Sequence, residues 1–466
     1  MTSLAEERRV QKQWNARLRY PNHDRFDRLL DREFISPDEH RSAQDRALRR
    51  LVAFAVKEVP YYAQLFSRLE ISAEHVRGID DLSKLPMLAM EDLLDNENAL
   101  TARHLPPKER LFGTFESSGT TGRKKRVPMT VVSNGLFTLL AQRRARWSRL
   151  DPSGIAAEIR DCEYLPKAPD GQLLSRGEVC HAKQWRYLGR FFHTGPYVAF
   201  SYANPIEDQI RWLQKYRPNH LASYPAALEE LALRCVDGPP ADSLAVLQAI
   251  STELTEPMRA RIESAWQLPI HQGYGLIEIG IVACRCDAGR YHVNTEHCIV
   301  EIVNQDLQPC SAGQFGRVLV TGLRNPAMPL IRYDTDDMAE VVTGPCPCGR
   351  SMPSFGRIIG RHRQWSALPA GTREDFYVLG EIWAAIPPHL VTSVRRYQIH
   401  QDRNGDFEQR LVTTKPMPDA YFRLIQQSWR EKIGQSRKLS VRIVDAIAPG
   451  RGGKPQEFTS DLYPAT

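Results

Sequence analysis

The first seventy residues combine frequent charge with apolar positions at helical spacing. Within them, residues 47–59 alternate apolar and basic positions until Pro60-Tyr61-Tyr62 interrupts the pattern. Apolar residues three or four positions apart share one face of a helix, and proline ends such a run. We therefore predict a helical N-terminal segment that packs on a larger domain, with the arginine pairs at 8–9 and 49–50 on solvated faces.

From residue 129 to residue 280, stretches with helical spacing alternate with short apolar runs. The helical stretches are residues 129–147, 206–216 and 226–235, and the first carries its apolar side chains toward a core at Leu136, Phe137, Leu139 and Leu140. The strand-like runs are residues 220–223, 245–250 and 269–271, followed later by 318–322 and 338–343. Alternation of helices and buried strands predicts a parallel or mixed sheet covered by helices.

The pattern changes near residues 356–363, beyond which the predicted elements are short. Strands are predicted near 393–400, 409–413 and 440–444 with a helix at 419–433, and Asn404-Gly405 marks a hairpin turn.

The chain has 466 residues, too many for one ordinary core, so two domains are expected. We predict an α/β fold. A large N-terminal domain of several subdomains with helix-covered mixed or parallel sheets (1–360) precedes a small, mobile α+β C-terminal lid domain (361–466).

Composition narrows the class of protein without changing this picture. The hydrophobic fraction of 42% and the charged fraction of 25% are those of a globular protein in water. A net charge of +7 favours small anionic ligands, but it is too dilute to indicate nucleic acid. The N-terminus lacks a signal peptide, and no apolar run reaches the ~18 residues of a membrane span. Nine cysteines indicate a reducing compartment, so a cytoplasmic location is expected. The oligomeric state stays open.

Residues 115–128 read Phe-Glu-Ser-Ser-Gly-Thr-Thr-Gly-Arg-Lys-Lys-Arg-Val-Pro and combine hydroxyls, glycines and cations. The glycines, Gly119 and Gly122, allow a tight turn whose N–H groups approach an anion, and residues 123–126 add positive charge. The hydroxyl donors are Ser117, Ser118, Thr120 and Thr121. Neither lysine is followed by Ser or Thr, so this is not the common nucleotide-binding loop. We predict a phosphate-binding loop that leads into a helix; a polar surface turn is the alternative.

Five further motifs follow this loop in sequence order. They are Ser223-Tyr-Pro-Ala-Ala-Leu-Glu229, Tyr274-Gly-Leu-Ile-Glu278, Pro329-Leu-Ile-Arg-Tyr-Asp-Thr-Asp-Asp337, Gly360-Arg361 and Gly452-Gly-Lys454. Together with the loop they resemble the motifs of the adenylate-forming superfamily, which comprises acyl- and aryl-CoA synthetases, luciferases and the adenylation domains of peptide synthetases. The resemblance runs from residue 117 to residue 454 and is strongest to the phenylacetate–CoA ligase branch.

The resemblance implies an AMP-forming ligase. A carboxylic acid, aromatic or small, would attack the α-phosphorus of ATP to give acyl-AMP and pyrophosphate, and the acyl group would then pass to CoA as a thioester. A carboxylic acid with a pKa near ~4 is already ionised at neutral pH, so no general base is needed. The barrier is the approach of one anion to another, which positioning and electrostatic stabilisation lower. The implied partners are the acid, ATP with Mg²⁺, and CoA or an amine, with no nucleic acid and no membrane.

The same resemblance assigns the charges that act on the phosphates. The 117–125 loop, including Thr120 and Lys125, would hold the β- and γ-phosphates, and Glu278 would hold Mg²⁺, which prefers oxygen ligands. Lys454, in a glycine-rich stretch, would swing in from the small domain and neutralise charge between the carboxylate and the α-phosphate. Judged by residue type alone, Glu278 and Lys454 would be ordinary surface residues.

Contacts to the nucleoside and the hinge are also implied by the resemblance. They are Tyr274 and Gly275 beside the adenine, Thr252 and Glu253 near it on a looser local match, Asp337 on the ribose hydroxyls and Arg361 at the interdomain hinge. Acidic residues accept hydrogen bonds from ribose in other nucleotide sites, which agrees with the role of Asp337.

Two positions depart from the family pattern. Asp336 stands where the family carries Gly or Arg, and an extra carboxylate near a triphosphate is unfavourable unless it faces solvent or a cation. His362-Arg363-Gln364 replaces the acidic pair that usually follows the hinge. The second departure leaves a different acceptor open: an amine, a reductase partner, a carrier protein or an unusual anion. A degenerate nucleotide-binding relative also stays open, as does a zinc-stabilised nucleic-acid-binding protein, which the acids Glu278 and Asp337 disfavour.

Two cysteine pairs, Cys284-Arg-Cys286 and Cys346-Pro-Cys348, indicate a structural zinc site. Four thiolates satisfy tetrahedral Zn²⁺ and leave no open catalytic position. The Cys-Pro-Cys-Gly-Arg element at the second pair is similar to one in the phenylacetate–CoA ligase branch. His292 and His297 are alternative ligands, and buried, unligated thiols are the competing interpretation.

Seven aromatic residues and His193 crowd residues 185–202. They either fill a core or line a flat aromatic pocket, and the core is the commoner role for any single ring. His193 is expected as a core histidine rather than a catalyst. The substrate pocket is expected within residues 185–205 and 220–275.

Overall fold

The computed structural model describes residues 4–20, 24–116, 124–168, 171–252, 254–359, 393–413, 415–433, 437–447 and 458–461, together with residues 386 and 390. Its N-terminal segment is helical: α1 (Leu4–Asn15), α2 (Asp24–Asp31), α3 (Pro37–Glu58), α4 (Pro60–Arg68), α5 (Met90–Asp95) and α6 (Glu97–Leu100). The long α3 begins at a capping box, in which Ser36 and Glu39 satisfy each other's backbone N–H groups. This helical N-terminal segment is as predicted.

A hairpin and the first long helix of the main body follow. The hairpin consists of β1 (Leu111–Glu116) and β2 (Arg126–Thr130), and the helix α7 (Val131–Trp147) follows β2 directly. Thr130 caps α7, because its hydroxyl accepts a hydrogen bond from the Ser133 N–H group. The helix predicted from residue 129 is therefore confirmed, with its start at residue 131.

Twelve strands of the described chain form the central sheet. In chain order, these strands and the helices between them are β3 (Ala156–Arg160), β4 (Val179–Ala182), β5 (Tyr197–Ser201), α8 (Ile206–Tyr216), β6 (His220–Ser223), α9 (Pro225–Arg234), β7 (Val246–Ala249), α10 (Glu256–Trp266), β8 (Ile270–Leu276), β9 (Gly280–Arg285), β10 (Tyr291–Val293), β11 (Cys298–Val303), β12 (Phe315–Gly322), β13 (Tyr333–Val341) and β14 (Ser354–Ile359). The strand order is β11-β12-β13-β14-β10-β9-β8-β7-β6-β3-β5-β4.

The sheet is mixed, as predicted. Strands β8, β7, β6, β3 and β5 pair in parallel, whereas the other neighbours in the sheet pair antiparallel. Helices α8, α9 and α10 cover one face of the parallel part around the fully buried Leu221, Leu228 and Leu247. Helix α7 packs with α1 and α2 on the other face around Trp14 and Leu140. The α/β fold class predicted from the sequence is confirmed.

The C-terminal part forms a second, smaller sheet. Its elements are β15 (Val394–Gln401), β16 (Phe407–Thr413), α11 (Asp419–Ile433), β17 (Leu439–Ile443) and β18 (Phe458–Ser460), with strand order β17-β16-β15-β18. The predicted hairpin turn is present, and Gly405 adopts φ +83°, a conformation that suits glycine. Tyr421, Ile425 and Trp429 of α11 pack on this sheet.

Two expectations have different outcomes. The proposed domain boundary at residue 360 falls outside the described residues and stays a prediction. His193 is exposed, which corrects its assignment to the core: its backbone N–H group bonds Arg17 O, and its ring stays at the surface. Among the described helices, none has both the length and the apolar character required to cross a membrane.

Candidate active site

Lys125, Glu278 and Tyr333 meet at the centre of the candidate site. Lys125 immediately precedes β2, Glu278 lies in the turn between β8 and β9, and Tyr333 begins β13. The Lys125 ammonium forms an ion pair with the Glu278 carboxylate, which also accepts a hydrogen bond from the Tyr333 hydroxyl at 2.9 Å. The side chains of Glu278 and Lys125 are 3% and 16% exposed, so water screens their pairing weakly. Three separate motifs therefore converge on one carboxylate.

Tyr274 and Asp337 form a second contact between two of these motifs. The Tyr274 hydroxyl donates to Asp337 Oδ2 at 2.7 Å. Burial, together with the adjacent Asp337 carboxylate, raises the pKa of Tyr274 well above its usual value. The phenol therefore keeps its proton at any physiological pH and holds the Asp337 carboxylate in one orientation.

Asp337 is presented by an irregularity in β13. The register against β12 shifts between Arg317 and Leu319, so residues 335–337 form a bulge in which Thr335 Oγ1 accepts the Asp337 N–H group. Asp336 adopts φ +62°, the left-handed conformation, which explains why glycine suits this position and why Asp is tolerated there. Asp336 is also buried rather than solvent-facing.

Gly275 acts through the backbone of the turn that carries Glu278. A Cβ at residue 275 would lie 2.8 Å from the carbonyl oxygen of Gly280 on β9, closer than side chains are found. Glycine therefore allows β8 and β9 to approach at the point where the chain turns. The spacing from Tyr274 to Glu278 is explained by this close hairpin.

Thr252 lies just beyond the carboxyl end of β7, beside β8. Its carbonyl oxygen faces the Gln272 side-chain nitrogen at 3.5 Å, two residues before Tyr274. The carboxyl ends of parallel strands are the usual binding edge of an open α/β sheet. The structure therefore brings Thr252 to the expected edge, beside the strand that carries Tyr274.

Several assigned residues lie outside the described part of the chain. They are Ser117, Ser118, Gly119, Thr120, Thr121, Gly122, Glu253, Arg361 and Lys454. Their roles stay predictions.

Three of the four cysteines assigned to zinc come together with a histidine. Ligand atoms of Cys286, His292, Cys346 and Cys348 all lie within 4.8 Å of one another, and all four residues are buried. Cys286 Sγ lies 3.7 Å from Cys346 Sγ, and Cys348 Sγ lies 3.3 Å from His292 Nε2. The hydrogen bond from the Cys286 thiol, with burial opposing it, lowers the pKa of Cys348.

Cys284 is not part of this group, which corrects the predicted ligand set. It is buried beside Arg143 and Arg144 of α7, where burial raises the pKa of its thiol. His292, which pairs directly opposite Cys284 in the β9–β10 hairpin, supplies the fourth ligand atom of the cluster instead. The second histidine considered as a ligand, His297, faces Ile279 O and is not part of the cluster either.

Tyr333 is a site residue that the sequence did not single out. It lies within the 329–337 motif, but only the fold shows that its hydroxyl reaches Glu278, 55 positions earlier. The sequence offered one clue: Tyr333 lies in the same motif as Asp337, which was already expected to bind the ribose hydroxyls.

Comparison with known proteins decides the family. Residues 62–325, more than half of the chain, match the AMP-binding enzyme family. The chain belongs to the AMP-binding enzyme family. This AMP-binding enzyme is 27% identical over 456 residues to a phenylacetate–coenzyme A ligase of Thermus thermophilus, covering 91% of the chain and 96% of that relative. A phenylacetate–coenzyme A ligase of Escherichia coli is 26% identical over 396 residues, covering 81% and 82%.

Solved structures of similar fold agree with this family. A 2-hydroxyisobutyryl-CoA ligase in the postadenylation state, in complex with 2-HIB-AMP, matches with a TM-score of 0.68 at 15% identity, over 92% of this AMP-binding enzyme and 91% of that chain. The anthranilate CoA ligase AuaEII in complex with anthranoyl-AMP matches with a TM-score of 0.51 at 15% identity, over 90% and 79%. These likenesses establish the fold.

Proposed function

We propose that the chain is an AMP-forming acid–CoA ligase. It activates a carboxylic acid with ATP as acyl-AMP, releases pyrophosphate, and transfers the acyl group to CoA as a thioester. The observation that carries the proposal is the convergence of Lys125, Glu278 and the Tyr274–Asp337 pair from motifs up to 212 positions apart. Support also comes from the similarity to phenylacetate–coenzyme A ligases along nearly the whole chain.

The reaction requires the protein to neutralise negative charge and to position the reactants. The acid's carboxylate oxygen attacks the α-phosphorus, the bond to the pyrophosphate oxygen breaks, and pyrophosphate leaves with that electron pair. Lys125 supplies a positive charge near the leaving phosphates, and Asp337, held by Tyr274, binds the ribose hydroxyls. A positioned, partly water-shielded site strengthens both contacts relative to water.

Glu278 fits the role of a Mg²⁺ ligand. It is a carboxylate, its Oε1 atom is held by both Lys125 and Tyr333, and it lies beside the last residue of the proposed phosphate loop. Mg²⁺ prefers oxygen ligands and usually binds proteins through one or two carboxylates plus substrate phosphates. When bound with ATP, it would offset negative charge on the phosphates.

The cysteine–histidine cluster fits structural Zn²⁺. With Zn–S near 2.3 Å and Zn–N near 2.0 Å, tetrahedral geometry requires about 3.8 Å between two sulfurs and about 3.5 Å between sulfur and nitrogen. The observed 3.7 Å and 3.3 Å agree. His292 Nδ1 faces Met352 O at 3.1 Å, which turns Nε2 toward the cysteines. We propose a Cys₃His site that holds residues 346–348 against the β9–β10 hairpin.

The acceptor and the compartment follow from weaker signals. CoA is favoured over an amine because the similar proteins are CoA ligases. The nine cysteines form no disulfide, which supports the expectation of a reducing, cytoplasmic compartment.

Exchange of labelled pyrophosphate into ATP in the presence of single acids tests the first step. At least one acid should stimulate exchange, and Glu278→Gln should lower the rate about 100-fold, or about 2.8 kcal/mol. Glu207→Gln on the exposed surface of α8 is the matched control and should leave the rate unchanged. No exchange with any acid would contradict the proposal. AMP release that depends on an amine, and not on CoA, would show that the acceptor is an amine.

A further inference from the structure

A row of partly exposed side chains lies between the parallel strands and α7. The strand register places Glu158, Ala222, Gln248 and His271 side by side on β3, β6, β7 and β8. Each keeps partial exposure at the centre of the molecule. Because side chains alternate along a strand, and the next residues pack against α8–α10, this row faces α7. A close-packed interior leaves few side chains partly exposed, so we infer a cleft beneath α7 from the exposure of this row.

Arg144 of α7 enters this cleft. Its Cδ lies 3.3 Å from the point where a Cβ at residue 273 would stand, so Arg144 approaches β8 where Gly273 leaves room. Burial lowers the pKa of Arg144, while electrostatic interactions with Cys284 and Glu158 act against that shift. Among the described residues, the Arg144 guanidinium makes no hydrogen bond or ion pair.

Glu158 does not serve as a close partner of Arg144. It is already held by Arg160 Nη1 at 3.0 Å, Arg186 Nη1 at 3.4 Å and the Tyr197 hydroxyl at 2.5 Å. The other carboxylate at this end of β3, Asp161, accepts a hydrogen bond from a tyrosine hydroxyl. Three arginines thus face two carboxylates.

Arg160 adds an unsatisfied donor next to Arg144. Its Nε atom is buried and has no hydrogen-bond partner in the described part of the chain. Buried polar groups are nearly always paired, and an unpaired donor in a cleft indicates a missing acceptor. Its Nη2 atom meets Ser251 at 3.2 Å, at the carboxyl edge that also holds Thr252.

We propose that the acid substrate carries a second anionic group, a carboxylate or a sulfonate, which Arg144 binds with help from Arg160. This inference rests on the proposed function, because it places the far end of the acid in the cleft and its reacting carboxylate toward Glu278. Phe137 and Tyr187, with ring centroids 5.6 Å apart, supply an apolar wall near the same cleft for the body of the acid.

The phosphates of ATP do not explain this cation. Arg144 is thirteen residues from the first residue of α7, which corresponds to about 20 Å along the helix axis. Lys125, the last residue of the proposed phosphate loop, contacts Glu278, whereas Arg144 approaches β8 at Gly273 from near the carboxyl end of α7. A guanidinium binds a carboxylate through two parallel hydrogen bonds, which suits a fixed anionic substituent.

Matched acids test the inference. Pyrophosphate exchange is measured with phenylacetate, 4-carboxyphenylacetate and 4-aminophenylacetate, and with butyrate and succinate. The wild type should favour each diacid over its monoacid at least about 10-fold in kcat/KM.

Arg144→Met should remove that preference by lowering kcat/KM for the diacids only, about 10- to 100-fold. Arg144→Lys should keep part of it, and Arg234→Met on the surface should keep all of it. The KM for ATP should not change.

Calorimetric titration of the same acids into the protein without ATP separates this inference from the proposed function. If exchange occurs with the monoacids or with 4-aminophenylacetate and the diacids are not preferred, the inference is overturned and the proposed function stands. Diacid binding that Arg144→Met abolishes, without exchange, supports Arg144 as an anion-binding residue but contradicts the function, and with it the assignment of the diacid as substrate. Neither binding nor exchange with any acid overturns both.

Discussion

At the scale of single residues, tyrosine hydroxyls orient the acids of the candidate site. Tyr274 donates to Asp337 and Tyr333 donates to Glu278, so each proposed ligand-binding carboxylate is held by a buried phenol from another motif. Fixing a carboxylate before the ligand arrives reduces the entropy lost on binding. The acids are therefore preorganised for ribose and for Mg²⁺.

Tyr274→Phe tests this orientation. The variant keeps the ring and removes the hydrogen bond to Asp337, so we expect the KM for ATP to rise about 10-fold while kcat changes less than about threefold. A hydrogen bond to a charged group is worth about 1.5–3 kcal/mol. Steady-state kinetics with varied ATP is the measurement. Tyr216→Phe on α8, remote from Asp337, is the control; an unchanged KM in Tyr274→Phe would refute the positioning role.

At the scale of elements, the β9–β10 hairpin and the loop before β14 share one proposed metal. The hairpin supplies Cys286 and His292, and the loop supplies Cys346 and Cys348. A loop with few apolar residues gains its position from such a link, because metal binding is coupled to folding.

Cys284 and Cys286 are therefore expected to differ in their effect on zinc binding. Wild-type protein purified without added metal should contain one zinc per chain, Cys286→Ser should contain much less, and Cys284→Ser should retain it. Elemental analysis by plasma mass spectrometry gives the stoichiometry. Equal metal loss in both variants would contradict the Cys₃His assignment, and absence of metal from the wild type would remove the site.

A network of buried charges joins the same loop to α7 and the N-terminal helices. Arg350 pairs with Glu7 at 2.7 Å and Glu33 at 3.1 Å, and its guanidinium stacks 3.9 Å from the Trp147 ring. Burial alone would raise the pKa of Glu33, but the charges of Arg146, Arg143 and Arg350 outweigh it and lower that pKa. Glu33 is thus held as an anion inside the protein.

Removing one cation from this network should be strongly destabilising. We expect Arg350→Met to lower the free energy of unfolding by about 3–5 kcal/mol, since breaking a buried ion pair leaves unpaired charge behind. Arg357→Met, a few residues away and half exposed, should change it by less than about 1 kcal/mol. Urea unfolding followed by tryptophan fluorescence compares the two variants. If Arg350→Met lowers the free energy of unfolding no more than Arg357→Met does, the network adds no stability.

At the scale of the whole molecule, buried histidines determine how stability depends on pH. Burial lowers the pKa of His297 to about 4, and it lowers those of His40 and His220 as well. Partial burial lowers the pKa of His271 to about 4 too. The unfolded chain binds protons at these groups near pH 6.5 while the folded chain does not. Stability is therefore fully present above pH 6.5 and is lost as the pH falls toward 4.

The free energy of unfolding should accordingly decrease between pH 7 and pH 5. Each fully neutral buried histidine adds a slope of up to about 1.4 kcal/mol per pH unit below pH 6.5. Urea titrations at several pH values give this slope. His297→Asn should reduce it, whereas the same change at the exposed His193 should not. A flat profile would show that these histidines are protonated in the folded protein.

Much of the fold was predictable because local patterns decide it. The helix at 419–433, the strand at 220–223 and the helix at 206–216 have the predicted bounds, since each shows its own periodicity and ends. Motif order identified Tyr274, Glu278 and Asp337. It could not show that Tyr333 completes the site, or that His292 replaces Cys284, because those facts depend on residues 55 and 56 positions apart.

The sequence by itself determined the α/β alternation, the family and the chemical character of the site, since these follow from residue types at short spacing. The tertiary structure alone decided which of several acids and thiols face one another, and where Arg144 lies. Strand register and helix packing bring together residues that are distant along the chain, and neither can be read from local periodicity. The proposed preference for a diacid is therefore a property of the packed molecule.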